Sequence, residues 1–163
     1  MKRRWPPLLV LGICLFSTDL SAQLRPGDPA RDFALPAVNG DTITLSSLRG
    51  KVVLLDFWAS WCLPCRVANK SIGKVYAKYK DKGFEILGVS MDAYPSDWKE
   101  AIKKDKISWL QVNEPGGWTS NTALLYNVYA LPTSYVIDQQ GRLIAMDPTR
   151  KQLEKILKEL LDK

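Results

Sequence analysis

The sequence predicts an α/β fold, a central mixed β-sheet flanked by helices with an added N-terminal β-hairpin, and three observations carry that expectation. An apolar run from Val52 to Phe57, a helical pattern from Arg66 to Tyr79 and a second apolar run from Phe84 to Val89 follow one another within about forty residues, as in a right-handed parallel strand–helix–strand unit. Two further strands, Ser134 to Ile137 and Leu143 to Met146, flank Gln139-Gln140-Gly141 and so return antiparallel. Ahead of the first core strand, Asn39-Gly40 is a two-residue hairpin turn.

The chain opens on a segment that does not belong to the fold. Met1-Lys2-Arg3-Arg4 is basic, Leu8 to Phe16 is apolar, and Leu20-Ser21-Ala22 offers small residues for cleavage before Gln23. These features predict a signal peptide over residues 1–22 and one domain over 23–163; the apolar run is too short to span a bilayer, and a retained anchor is the alternative. Cys14 falls within the signal, preceded by Ile13 where a lipoprotein signal needs a small residue. Removing it leaves two cysteines, Cys62 and Cys65, in a chain expected to be exported, periplasmic and exposed to oxidising conditions. A disulfide-stapled scaffold would need more, so the pair is read as serving exchange.

Each element has its own local reason. Asp32 to Leu35 is extended, and Thr42 to Leu45 alternates as the returning hairpin strand, with Ser46-Ser47-Leu48 a short turn before Gly50. In the helix from Arg66, Ile72, Val75, Tyr76 and Tyr79 share one face, and Lys82-Gly83 ends it. Ser96 is a candidate cap for a helix from Asp97 to Lys106, with Trp98, Ala101 and Ile102 inward. Ile107 to Val112 reads as extended, Pro115-Gly116-Gly117 as a loop, and Ser120 to Tyr126 as a short helix. Asp147 with Pro148 is the candidate start of a last helix, whose apolar face is Leu153, Ile156, Leu157, Leu160 and Leu161.

The formal net charge is +6 and there is no histidine. The lysines alternate with acidic residues along helical segments, which describes solvated faces; no basic stripe interleaved with aromatics points to nucleic acid.

The chemistry concentrates at Cys62-Leu63-Pro64-Cys65, where a strand stops and a helix begins. Unpaired N–H groups and the helix dipole there stabilise a thiolate at Cys62, and residues three apart on a first turn can join as a disulfide. Pro64 suits a first turn because its missing N–H is not needed. Trp61-Cys62-Leu63-Pro64-Cys65 resembles the W-C-x-P-C site of thioredoxin-fold proteins, and from Pro26 onward the chain resembles their exported TlpA/ResA-like branch of thiol-disulfide oxidoreductases (AhpC/TSA-redoxin type). The resemblance implies a thioredoxin-like three-layer fold and disulfide exchange, with Cys62 attacking a substrate disulfide and Cys65 resolving the mixed disulfide.

The same resemblance assigns further roles. Leu131-Pro132-Thr133 is similar to the cis-proline loop that faces the dithiol, which makes Leu131 and Pro132, with Trp61, Leu63 and Pro64, candidate substrate-binding residues; read alone, a trans proline opening a strand is the commoner arrangement. Asp56 matches the buried aspartate that moves the proton of the second cysteine, against the simpler reading of a strand-end aspartate reaching solvent. The chain departs from its branch at Ala68 and Lys70, where many members carry a glutamate and a proline, and no lysine occurs within Glu85 to Val89. Trp58 reads as packing, as do Tyr126 and Tyr129, whereas Arg66 either lends positive potential to Cys62 or is a solvated arginine at the helix start.

No cofactor beyond the Cys62–Cys65 pair and no metal is expected. Protein thiols or disulfides are the expected substrates of a monomer recharged by a membrane electron donor. The absence of a histidine between the cysteines favours a reductant, as in cytochrome c maturation or envelope thiol homeostasis. A thiol peroxidase is the nearest alternative, but Ala59 stands where that chemistry needs a hydroxyl. A metal-delivery or redox-silent interaction module is the other; two thiolates without histidine are too few ligands for zinc.

Overall fold

The computed structural model describes residues 23–162; the expected signal peptide, with Cys14, lies outside them. Strands β1 (Ala34–Pro36) and β2 (Thr42–Thr44) pair antiparallel as the expected hairpin, with Leu35 opposite Ile43. Leu45 does not continue the strand but opens a 3₁₀ turn through Leu48, which turns both leucines inward.

The main sheet has the order β5-β4-β3-β6-β7, made of β3 (Val52–Trp58), β4 (Phe84–Ser90), β5 (Leu110–Asn113), β6 (Thr133–Ile137) and β7 (Leu143–Met146). β3 runs parallel to β4 and antiparallel to β6, so the sheet is mixed. Both central strands are buried along their whole length, which explains why they read as continuous apolar runs rather than alternating ones.

Alternate residues serve opposite layers. Val52, Leu54, Ile86 and Val136 pack with Val75 and Tyr79 of α1 (Leu63–Tyr79) and with Leu153 and Leu157 of α4 (Arg150–Leu161). Val53, Leu55, Phe57 and Ile137 pack with Trp98 of α2 (Pro95–Asp105), Ala123 of α3 (Asn121–Leu125) and the hairpin's Leu35. The result is the three-layer thioredoxin-like arrangement.

Several local expectations are corrected. The cap of α4 is Thr149, whose hydroxyl accepts from the Gln152 N–H while the Gln152 side chain accepts from the Thr149 N–H. That reciprocal pair satisfies two helix-end donors, and Asp147 is left in a left-handed turn at φ 46°. Ser96 does not cap α2, because Pro95 already opens the helix with its preset φ; its hydroxyl donates to Asp97 instead. Tyr126 is fully buried, but Tyr129 is 80% exposed and lies outside the core.

Candidate active site at the start of the first helix

Cys62 is the N-cap of α1 and Cys65 lies in its first turn, joined to it by a disulfide with the Cα atoms 5.3 Å apart. The Cys65 N–H donates to the Cys62 sulfur at 3.2 Å, the bond that would stabilise a thiolate there after reduction. Leu63 and Pro64 are exposed, while Cys62 is 5% and Cys65 only 1% exposed. Cys62 is thus the more exposed of the two cysteines.

The loop carrying the dithiol is anchored by a residue that the sequence did not single out. The carboxylate of buried Asp92 accepts from the Ser60 N–H at 2.9 Å, the Ser60 hydroxyl at 2.6 Å and the Ser90 hydroxyl at 2.8 Å. Asn113 donates to the Asp92 carbonyl and so ties β5 to the same point. Behind the loop, the Trp58 indole N–H donates to Gln111 at 2.9 Å. The Gln111 amide lies across Gly88, where a Cβ would come within 2.2 Å of it. Trp58 is thus packing, as its sequence position suggested, held by a polar contact that spacing does not reveal.

Asp56 is 7% exposed and sits opposite Gly88 on β4 and Ser134 on β6, with no lysine facing it on the neighbouring strand. It borders a cleft of about 220 Å³ shared with Ala68, Pro132, Ser134, Asp147 and Arg150. Burial, with the charge of Asp147 adding to it, pushes the Asp56 carboxyl up to about 7. A group balanced near neutrality beside the proline loop and α1 is suited to accept and return a proton.

Pro132 follows a cis Leu131–Pro132 bond, and the pairing of Phe57 with Thr133 sets this loop beside the end of β3, where the dithiol loop begins. Arg66 is engaged elsewhere. Its guanidinium makes two bonds of 2.7 Å to Asp105 of α2, so its charge is neutralised there rather than offered to Cys62. Trp61 is exposed and meets Trp118, a residue with no neighbour in sequence to suggest the contact. The only hint in the sequence is an aromatic side chain placed between Gly116-Gly117 and Ser120 in an otherwise polar loop. Among the described residues, no group of three or more His, Cys, Asp or Glu side chains could hold a metal ion, and no helix is long and apolar enough to cross a membrane.

Residues 26–146 match the model of the AhpC/TSA family. A thiol-disulfide oxidoreductase ResA of Bacillus thuringiensis subsp. konkukian is 34% identical over 137 residues, covering 82% of this chain and 78% of the relative. Among solved structures, a putative thiol:disulfide interchange protein DsbE from Chlorobium tepidum superposes with a TM-score of 0.78 at 36% identity, covering 85% of this chain and 99% of that one. A thiol-disulfide oxidoreductase from Bacteroides fragilis gives 0.77 at 39%, covering 82% and 100%.

Proposed function

The chain belongs to the AhpC/TSA family, and from that premise we propose how its thiol-disulfide oxidoreductase chemistry is carried out and in which direction it runs. The observation that carries the reading is the Cys62–Cys65 disulfide at the N-terminus of α1, with Cys62 the more exposed cysteine.

In the reducing direction, the Cys62 thiolate attacks one sulfur of a substrate disulfide, and the other substrate sulfur leaves as a thiolate. Asp56, ionised at or above about pH 7, takes the proton of the Cys65 thiol. The Cys65 thiolate then attacks the Cys62 sulfur and releases the substrate's second sulfur with its electron pair. Two electrons have moved to the substrate, and the protein holds a disulfide. Leu131 and Pro132, with Leu63 and Pro64, form the edge along which the substrate backbone lies.

What surrounds the thiolate supports the reducing direction. The helix start and the Cys65 N–H stabilise Cys62; Arg66, four residues on, is bound to Asp105, and the chain has no histidine. A weakly stabilised thiolate disfavours the dithiol form and makes the pair a reductant. Protein disulfides are its substrates in this direction, and protein thiols are the products. A monomer exported by residues 1–22, recharged by a membrane electron donor and serving cytochrome c maturation or envelope thiol homeostasis completes the proposal.

Equilibration of the pair against a thiol–disulfide buffer, read by tryptophan fluorescence, tests the direction. A potential of roughly −230 mV or lower supports a reductant; a value near roughly −120 mV would make the protein a disulfide-forming oxidant.

A further inference from the structure

Two tryptophans stand in solvent beside the dithiol. Trp61 is 59% exposed and Trp118 is 45% exposed, and their rings meet edge to face with centroids 6.3 Å apart. Large aromatic surface kept in water forgoes the stabilisation of burial, and where several such groups adjoin they mark a contact surface.

The pair is built into the fold. Trp61 follows Ser60, which Asp92 holds through backbone and side chain. Trp118 rides on a 3₁₀ turn, Gly117–Thr119, entered through Gly116 at φ 125° and Gly117 at φ 55°, conformations that side chains disfavour. The Thr119 hydroxyl donates to the Gly116 carbonyl, and the Glu114 carboxylate accepts from the Thr122 N–H at 2.8 Å. Leu63 and Val67, one turn apart on the outer face of α1, are 72% and 62% exposed and extend the apolar surface from the dithiol.

Arg66 is paired with Asp105, the Glu114 carboxylate accepts from the Thr122 N–H, and the exposed side chains of the patch itself are aromatic and aliphatic. The exchange reaction decides the occupant. The Cys62 sulfur bonds to a substrate sulfur while the substrate's own disulfide breaks and its other sulfur departs as a thiolate. At about 3.5 Å per residue, the residues within three of the reacting cysteine lie within about 10 Å of Cys62, the neighbourhood of the two indoles.

We infer that Trp61 and Trp118 form an aromatic clamp that selects protein substrates carrying a large apolar or aromatic side chain within three residues of the reacting cysteine. The inference rests on the disulfide-exchange reading given above and makes Trp118 a specificity residue for it.

The test uses homodisulfides of two short peptides, equal in length and charge, with Phe or Ser beside the single cysteine. The reduced protein is mixed with each, and the peptide thiol released is measured by chromatography. The unaltered protein reacts about tenfold faster with the Phe peptide, the size expected for one well-packed aromatic contact. Trp118→Ala brings the two rates within about twofold, and Trp118→Phe keeps most of the preference. Equal rates in the unaltered protein, or a preference that survives Trp118→Ala, would overturn the clamp. So would a concentration-dependent dimer lost in Trp118→Ala, which would give the patch to a second copy of the chain. No exchange with either peptide would instead sink the reading beneath it.

Discussion

Asp147 and Asp56 border one cleft, and the charge of Asp147 adds to burial in keeping the Asp56 carboxyl protonated up to about pH 7. Asp147 is held in that position by the Ser134 N–H, which donates to its carboxylate at 2.6 Å, and by its own N–H, which donates to the Ser134 carbonyl. Ser134 is in turn the β6 residue opposite Asp56. Sheet register and a left-handed turn thereby bring together two carboxylates 91 positions apart in the chain, with no ion pair between Asp56 and a lysine or arginine among the described residues.

The raised Asp56 carboxyl carries a pH signature in stability. Between the unfolded value near 3.8 and the folded value of about 7, the native state holds a proton that the unfolded chain has released. Stability therefore falls as pH rises through that window, by an amount on the order of a few kcal/mol, and levels off above it. Asp56→Asn removes this loss. Chemical denaturation at pH 4 and pH 8 is expected to show the variant gaining stability at pH 8 and little at pH 4, while its rate of disulfide exchange at pH 8 falls.

Asp147→Asn keeps an acceptor for the Ser134 N–H but removes the charge. The midpoint of the Asp56 titration then moves below about 7, while burial, the larger cause, keeps it above the usual carboxylate range. Asp147 is exposed, so solvent screens its charge and the displacement is small. The acid limb of the exchange rate against pH reports it; a midpoint unchanged from the unaltered protein would leave burial as the whole cause.

The two cysteines are expected to differ when replaced. Cys62→Ser abolishes exchange. Cys65→Ser leaves attack intact but halts at the mixed disulfide, because no second thiolate remains to displace the substrate. Non-reducing electrophoresis after mixing with a disulfide-bearing protein separates the two: a covalent adduct with Cys65→Ser and none with Cys62→Ser.

Asp92→Ala removes the acceptor for three hydrogen bonds and leaves the Ser60 N–H and two hydroxyls in search of partners. A loss of about 2–4 kcal/mol in thermal or denaturant unfolding is expected. Because Ser60 lies two residues before Cys62, exchange slows as well, even though Asp92 touches neither sulfur.

Arg66→Ala tests whether the arginine serves the thiol or the fold. Its bonds to Asp105 hold that carboxyl below the usual range, so the pair stabilises the protein above the ordinary aspartate pKa and the contribution fades as pH falls through the lowered value. The variant is expected to lose about 1–2 kcal/mol at neutral pH, with the potential of the dithiol little changed. A potential shifted strongly by the substitution would restore Arg66 to the active site.

What the sequence determined by itself was everything carried by local pattern. The strand–helix–strand run, the Asn39-Gly40 hairpin, the apolar face of α4 and the dithiol at a helix start are all legible, because each needs only the period of side chains or the chemistry of a chain end. The positions of Asp56 and Pro132 were legible through family resemblance, and the tertiary structure supplied their surroundings. The cap of α4 is Thr149, whose spacing to Gln152 is itself a local capping-box pattern, while the contact with Ser134 of β6 draws Asp147 away. Only folding could bring Asp92 under Ser60, Gln111 across Gly88, Asp105 to Arg66 and Trp118 against Trp61. Each of these contacts joins residues more than twenty positions apart, and the register of a sheet or the packing of one helix on another, not the spacing along the chain, sets their distance.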